Sequence, residues 1–345
     1  MTLQATAARR TVQPAPGPGP HDGLLHVDPT AGRFALRRVD ALPELLQPGD
    51  LLVVNDAATL PAALAGRVRG EPVEVRLARQ LGPDRWEVGL LGAGSWRTPT
   101  ERRALPPVLS PGDVVVVGPE LELHVEEVRD RRIATVRLVA PHGRWLDAVH
   151  RLGEPVRYAY LAGRTPLAPF QTAFATRPWA SESPSAALPL TWRSLLALRR
   201  RGVGLARLTH AAGLSSLDGG ALDATLPWPE RSDVPEDTVA AIEATRGRVV
   251  AVGTTVVRAL EGRVRDQGAL RPGEAETSLV IGPGFRPRVV DGLLTKLHAP
   301  DESHFAVVAA FAPPALLARG LDAAGQAGWH HHEFGDAALV LASRP

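Results

Sequence analysis

The 345-residue chain contains no cysteine, one methionine and two tyrosines. The absence of cysteine excludes disulfide bonds, thiolate catalysis and zinc sites ligated by cysteine. Any nucleophile in this protein is therefore an oxygen or a nitrogen atom. Lysine is almost missing as well, because Lys296 is the single lysine among 39 basic residues and all the others are arginines.

Long hydrophobic runs are also absent. No segment approaches the roughly 18 consecutive apolar residues that cross a bilayer, and residues 1–20 lack the apolar centre of a signal peptide. We therefore expect a cytoplasmic protein with no membrane partner. The formal net charge of +2 argues weakly against broad binding to polyanions.

The residue composition and the hydrophobic pattern change along the chain. The stretch QPAPGPGPHDG, residues 13–23, is too rich in proline and glycine to bury a core, so residues 1–23 are predicted to be a disordered tail. The apolar run LLVVND and the amphipathic helical patterns after Leu161 are typical of an α/β domain. Between Val73 and Val139, short alternating runs separated by Gly, Pro and Asp turns predict a small antiparallel barrel or sandwich.

The segment RVVAVGTTVVRALEG joins a buried strand to a helix through Gly253. Such a turn leaves backbone N–H groups unpaired at the positive end of the helix dipole, where Thr254, Thr255 and Arg258 would meet carboxylates, phosphates or hydroxyls. The alternative is that a threonine only caps the helix and Arg258 is solvated. This unit alone favours that alternative, because strand–turn–helix units are common in α/β proteins.

Seven segments together resemble one family, the S-adenosylmethionine:tRNA ribosyltransferase-isomerases of queuosine biosynthesis. They follow the order and spacing of that family from about Leu24 to Leu341. The matching segments are NDAATLPAAL (55–64), QTAFATRP (171–178), SPSAALPL (183–190), GTTVVR (253–258), IGPGF (281–285), VVDGLLTKLHAP (289–300) and EFGDAALV (333–340).

The resemblance implies an α/β fold: a mixed-sheet main domain formed by residues 24–66 and 151–345, with a small antiparallel β-barrel inserted at residues 67–150. It also implies transfer and isomerisation of the ribosyl part of S-adenosylmethionine onto the aminomethyl-deazaguanine base of tRNA. The product is epoxyqueuosine-tRNA, and adenine and methionine are released. S-adenosylmethionine would be a co-substrate, tRNA a partner, and no metal would be needed.

Four residues are expected to act in that chemistry, which needs a base beside the sulfonium and a group that assists adenine departure. His298 in KLHAP would be the base, and Asp336 in FGDA would orient its imidazole or bind a ribose hydroxyl or amine. Arg258 would contact a carboxylate or phosphate. Glu230 matches the end of a Met-His-Ser-Glu motif. The expected substrate-binding residues are Asn55, Asp56, Gly253, Thr254, Thr255 and Lys296.

The chain departs from the family pattern at several of these segments. Two cations are lost where Ala57, Ala58 and Ala63 stand, and a serine-threonine pair becomes Glu302-Ser303. Lys296 replaces an asparagine two residues before His298, so on a strand the two side chains would share a face. It is either a functional cation or a drifted surface residue. Pro189, Trp228 and Gly282 replace two histidines and a tyrosine.

The run His330–His332 suggests a metal site only weakly. Side chains alternate along a strand, so His330 and His332 would converge and His331 would not join them. We expect stacking against a base or purine to suit this run at least as well.

Three functions therefore remain open. The first is the family reaction on tRNA, with Arg131-Arg132 and Arg199–Arg201 as candidate RNA contacts. The second is a diverged enzyme that uses S-adenosylmethionine or a related small-molecule nucleoside with a small-molecule acceptor. The third is a non-catalytic binding protein, which the replacements at Pro189, Trp228 and Gly282 favour.

Overall fold

A computed structural model describes residues 13–19, 21–282, 284–300 and 302–342. The strands are β1 (Gln13–Pro14), β2 (Gly23–Asp28), β3 (Arg33–Arg38), β4 (Leu51–Asn55), β5 (Ala57–Thr59), β6 (Ala63–Val68), β7 (Glu71–Gln80), β8 (Arg85–Leu91), β9 (Val114–Gly118), β10 (Leu121–Asp130), β11 (Ile133–Val139), β12 (Arg177–Ala180), β13 (Gly204–His210), β14 (Glu230–Val234), β15 (Val249–Val252), β16 (Gly273–Thr277), β17 (Gly292–Lys296), β18 (His330–His331) and β19 (Ala337–Leu341). The α-helices are α1 (Leu42–Leu45), α2 (Trp145–Leu152), α3 (Trp192–Arg200), α4 (Glu236–Ala244), α5 (Thr254–Gln267), α6 (Ser303–Val308) and α7 (Pro314–Gln326).

A nine-stranded mixed sheet forms the centre of the main domain, in the order β16-β14-β13-β4-β15-β17-β19-β2-β3. Strands β13, β4, β15 and β17 are parallel to one another, whereas β14 and β19 run antiparallel to their neighbours β13 and β17. The carboxyl ends of the four parallel strands therefore share an edge with the starts of β14 and β19. Ligands usually bind at such an edge in open α/β sheets.

The two faces of this sheet bury different cores, as the period-2 alternation of strands requires. In β15, Val249 and Ala251 pack into the cluster that contains α5 and α7. Val250 and Val252 point the other way, into the cluster that contains α1 and α3. Helix α3 is preceded by Thr191, whose side chain accepts a hydrogen bond from Ser194 N, as expected of an N-cap residue.

Six antiparallel strands close into a barrel in the order β10-β11-β8-β7-β6-β9. Its core is a separate apolar cluster that includes Trp86, Val88 and Val136. The α/β class with an inserted small barrel, predicted from the sequence, is confirmed. The barrel begins with β6 at Ala63 rather than at residue 67, because β6 pairs with β7 along its whole length. The division into domains otherwise stays a prediction.

The expectation of a disordered tail is wrong for the described part of residues 1–23. Gln13 and Pro14 pair in parallel with His330 and His331, and Ala15 is fully buried and donates from its N–H to His331 O at 3.0 Å. A two-residue edge strand tolerates proline because no ladder hydrogen bond from its nitrogen is needed. Residues 1–12 and Pro20 lie outside the described residues.

Within the part of the chain that the structure describes, every helix is too short or too polar to cross a membrane.

Candidate functional site

A cavity of about 640 Å³ opens at the shared carboxyl edge of the parallel strands. This volume suits a ligand of nucleoside size, since small-molecule sites usually enclose about 300–1,000 Å³. The barrel contributes one wall through Pro99, Thr100 and Glu101. The polar side chains of the main domain that line the cavity are Tyr158, Tyr160, Glu182, Ser183, Ser185, Ser215, Ser216, Asp223, Glu230, Thr254, Thr255, Arg258, Thr295, His298, Glu302, His304, His332 and Glu333.

The amino end of α5 faces this cavity. Gly253 occupies the N-cap position with φ 94° and ψ 153°, and no side chain of a described residue caps the helix. Thr254 and Thr255 line the cavity directly after it. An uncapped helix start combines unpaired N–H groups with the positive end of the dipole, so this corner suits hydroxyls or an anionic group. The structure thus brings Gly253, Thr254, Thr255 and Arg258 together at the expected edge.

A buried charge network stands behind this corner. The guanidinium of Arg258 pairs with Glu230 Oε2, and His210 Nε2 lies 2.7 Å from the same oxygen. Burial lowers the pKa of His210 well below its usual value, with the Arg258 charge acting in the same direction. His210 is therefore neutral and donates its Nε2 proton to Glu230. Burial also lowers the pKa of Arg258 to about 10, so the guanidinium stays charged at neutral pH.

Arg258 keeps one donor available. Its Nε donates to Leu279 O at 2.9 Å, whereas its Nη2 is buried and has no partner among the described residues. Arg258 lines the cavity, so a shift of its side chain would bring this buried N–H group to a carboxylate or hydroxyl of a ligand.

His298 also lines the cavity and lies two residues after the end of β17, the strand next to β15. Its Nδ1 is 3.1 Å from Glu302 Oε2, and its Nε2 is 3.2 Å from Thr295 Oγ1. Burial would raise the pKa of Glu302, but contacts with His298 and His331 outweigh it and hold that pKa well below the usual range. Glu302 is thus ionised, and its carboxylate fixes the orientation of the His298 imidazole.

Two phenol–carboxyl pairs complete the wall. Tyr160 donates to Glu333 and Tyr158 donates to Glu182. Burial raises the pKa of Glu333 to about 7 and that of Glu182 above its usual value. Glu333 can therefore give or take a proton near neutral pH, which is the property of a general acid or base. Burial also raises the pKa of both tyrosines well above 10, so they remain donors.

Four of the expected site residues do not line the cavity. Asn55 is fully buried and hydrogen-bonds to backbone groups of His210 and Ala57. Asp56 accepts from Thr209 Oγ1 at 2.6 Å. Both bind neighbouring parts of the sheet edge, because their short polar side chains reach the unpaired backbone and side-chain donors where β4 and β13 end.

Asp336 and Lys296 lie together behind the wall. The Asp336 carboxylate accepts from the N–H groups of Gly23 and His330, each at 2.8 Å, so the partner of His298 is Glu302 and not Asp336. Lys296 is buried and donates from Nζ to Gly335 O at 2.7 Å. It does not share a face with His298 as predicted, because β17 ends at Lys296 and His298 follows in a loop.

The expected pairing within the His330–His332 run is also wrong. His331 and His332 are the neighbours, with ring centroids 4.8 Å apart, and both contact Glu302. His330 lies instead against His21. The alternation fails because β18 ends at His331 and His332 adopts φ 71°, which turns its side chain out of the strand pattern.

Several other features of the sequence analysis can be placed. Pro189, Trp228 and Gly282 are absent from the cavity wall, as far as the described residues form it. Of the proposed RNA contacts, Arg132 is buried and donates a hydrogen bond from Nη2 to Arg103 O. It is therefore unsuited to phosphate binding. Arg199–Arg201 are exposed at the end of α3.

Sequence reasoning missed Tyr158, Tyr160, Glu182 and Glu333. A signal existed for the tyrosines, since the two in the chain stand two residues apart and their rings stack with centroids 6.3 Å apart.

The chain is similar to known proteins over most of its length. Residues 9–340 match the family described as queuosine biosynthesis protein. A relative from Thermus thermophilus, named S-adenosylmethionine:tRNA ribosyltransferase-isomerase, is 35% identical over 320 residues, covering 90% of this chain and 89% of its own. A relative of the same name from Synechococcus elongatus is 35% identical over 358 residues, covering 96% and 92%.

One solved structure is similar over nearly the whole chain. It is an S-adenosylmethionine tRNA ribosyltransferase from Thermotoga maritima, with a TM-score of 0.51 and 23% identity, covering 97% of this chain and 100% of its own. This likeness supports the fold.

Proposed function

Because this chain belongs to the queuosine biosynthesis protein family, we propose that it transfers and isomerises the ribosyl moiety of S-adenosylmethionine onto the aminomethyl-deazaguanine base of tRNA. The products are epoxyqueuosine-tRNA, adenine and methionine. The observation that carries this proposal is the cavity of about 640 Å³ in which Thr254, Thr255, Arg258 and His298 converge.

The side chains of this cavity can perform the required steps. His298, held by ionised Glu302 at 3.1 Å, takes the acidic proton beside the sulfonium. Glu333, whose pKa is about 7, donates a proton to the departing adenine. The free Nη2 of Arg258 binds the methionine carboxylate, and the two threonines at the α5 start hold ribose hydroxyls. The reaction so described uses S-adenosylmethionine as co-substrate, calls for no metal ion and takes place in the cytoplasm.

A second candidate is a diverged enzyme that passes the same ribosyl group to a small-molecule acceptor. One observation favours it: Arg258 is the only arginine that lines the cavity among the described residues. An RNA-binding cleft usually carries several exposed cations.

One assay distinguishes these functions. The purified protein is incubated with S-adenosylmethionine, with and without tRNA that carries the aminomethyl-deazaguanine base, while adenine and methionine are measured. Release that depends on the tRNA supports the first function, and release with a small acceptor alone supports the second. A protein that releases neither product under any condition is not an enzyme of this kind.

His298→Ala tests the assigned base. We expect turnover to fall by about 10²–10⁴-fold, the usual contribution of general acid–base catalysis, with folding intact. The matched control is His150→Ala, since His150 is exposed on α2 and should leave the rate unchanged. Full activity in His298→Ala would remove His298 from the mechanism.

A further inference from the structure

Three donor atoms meet at one point beside the cavity. Glu302 Oε1 lies 2.7 Å from His331 Nδ1 and 3.3 Å from His332 Nε2. All three atoms lie within 4.8 Å of one another. The other carboxylate oxygen, Oε2, contacts His298 Nδ1, so Oε1 is the atom that faces the two imidazoles.

These separations are close to those within a metal coordination sphere. Two ligand atoms that bind zinc tetrahedrally at about 2.0–2.1 Å are about 3.3 Å apart. The distance to His332 Nε2, 3.3 Å, equals that value, and the distance to His331 Nδ1, 2.7 Å, is shorter than it. The two imidazole nitrogens lie within 4.8 Å of each other, so one ion would be reached by side-chain rotations that bring the three donors to a common separation of about 3.3 Å.

His331 supplies an observation that ion pairing does not explain. The residue is buried, and its Nδ1 lies 2.7 Å from Glu302 Oε1, yet this nitrogen has no well-aligned hydrogen-bond partner among the described residues. A buried ring nitrogen is normally hydrogen-bonded, because leaving it unpaired costs free energy. A nitrogen that is close to the oxygen but misaligned for a hydrogen bond suits a shared third partner.

The ligands are held in place by their surroundings. The backbone of His331 is fixed by its pairing with Pro14 and by the hydrogen bond from Ala15 N. The ring of His332 stacks on Tyr160 with centroids 4.4 Å apart and planes 20° apart, and Tyr160 is anchored on Glu333. His332 also keeps a positive φ of 71°, a conformation that non-glycine residues adopt mainly at functional sites and turns.

We propose that Glu302, His331 and His332 bind one divalent transition-metal ion of the zinc class. Two imidazole nitrogens and one carboxylate oxygen suit zinc, cobalt or nickel rather than magnesium or calcium. Three protein ligands leave a coordination position open. Because Glu302 and His332 line the cavity, that position faces the space where a ligand would bind.

A second cluster serves as an internal comparison. The donor atoms of His21, His330 and Asp336 also lie within 4.8 Å of one another. Both Asp336 oxygens already accept backbone hydrogen bonds, and the buried Lys296 ammonium acts on the same carboxylate. A nearby cation disfavours a dication, so we place the ion at the first cluster only.

To test the proposal, the full chain is first stripped of metal with a chelator, and its binding of added zinc or cobalt is then measured. We expect one zinc ion per chain by elemental analysis, a higher melting temperature with zinc, and visible d–d absorption with cobalt. His332→Ala and His331→Ala should each weaken zinc affinity at least tenfold. His330→Ala is the matched control and should bind zinc as the unmodified protein does.

His332→Ala keeps the proposal testable if the buried His331 variant fails to fold, because the His332 side chain is 35% exposed. Circular dichroism checks the fold of each variant. The proposal is overturned if the unmodified chain binds no zinc at micromolar concentration, if His332→Ala binds as tightly as the unmodified chain, or if only His330→Ala loses the metal.

Discussion

Asn55 Nδ2 lies 3.3 Å from Thr255 Oγ1, although 200 residues separate them in the chain. Asn55 also donates to His210 O and accepts from the N–H groups of His210 and Ala57. One buried amide thus joins the ends of β4 and β13 to the start of α5. Thr255, in contrast, lines the cavity. Asn55 therefore stabilises the fold, whereas Thr255 is placed to contact a ligand.

We expect Asn55→Leu to lower the free energy of unfolding by about 2–4 kcal/mol, because several hydrogen bonds of about 1 kcal/mol each are lost and backbone groups remain unpaired. Thr255→Val should change stability by less than about 1 kcal/mol and should raise KM for S-adenosylmethionine. Urea denaturation and steady-state kinetics measure the two effects. Equal destabilisation by both substitutions would contradict this separation.

Glu230→Gln should remove the anionic partner of the buried Arg258. Breaking a buried ion pair on one side costs about 3–5 kcal/mol, and we expect the lower end of that range, about 3 kcal/mol, because glutamine keeps a hydrogen-bonding oxygen. The control is Glu276→Gln, which removes an exposed partner of Arg79 and should cost less than about 1 kcal/mol. Chemical denaturation of both variants checks the difference, and similar losses would show that the buried network is unimportant.

Lys296 should make stability depend on alkaline pH. Burial lowers its pKa from 10.5 to about 8, so between these values the unfolded chain binds more protons than the folded chain. The free energy of unfolding should therefore rise as pH increases from 8 to 10.5, by an amount of order 3 kcal/mol. Below pH 8 both states are protonated and the unfavourable contribution is fully present.

Lys296→Met removes this titration. Unfolding free energies of both proteins are measured across the window, and their difference isolates the lysine because other groups titrate alike in the two. Parallel pH profiles would mean that Lys296 titrates normally.

Gly253→Ala should be costly, since φ 94° and ψ 153° form a region that only glycine adopts readily. A Cβ there would also lie 3.3 Å from Ala186 Cβ. We expect a loss of about 2–3 kcal/mol. Gly268→Ala is the control: its φ of 75° is also positive, but its Cβ would meet no atom of the described residues within 4 Å, so about 1 kcal/mol is expected. Thermal unfolding ranks the two, and the reverse order would refute the argument.

The sequence predicts the sheet well because hydrophobic alternation reports directly which face of a strand is buried. The corner at Gly253 was predictable for the same reason, since a strand that stops at glycine before a helical pattern must place Thr254 and Thr255 at the sheet edge. The contacts of Glu302 were not predictable, because they depend on the turn at His332 that ends the alternation of β18. The motif position of Asp336 predicts that it orients His298 or binds a ribose hydroxyl or amine, whereas its carboxylate accepts from backbone donors that only the folded chain brings near.

The pairing of Gln13 and Pro14 with His330 and His331 has a practical consequence for protein production. A shortened protein that starts at Gly23, whether made by design or by proteolysis, would retain every strand of the nine-stranded sheet. It would nevertheless uncover His330 and His331. Such a preparation would lose the backbone contacts that hold His330 and His331 in place. Tags and truncations are therefore best confined to positions before residue 13.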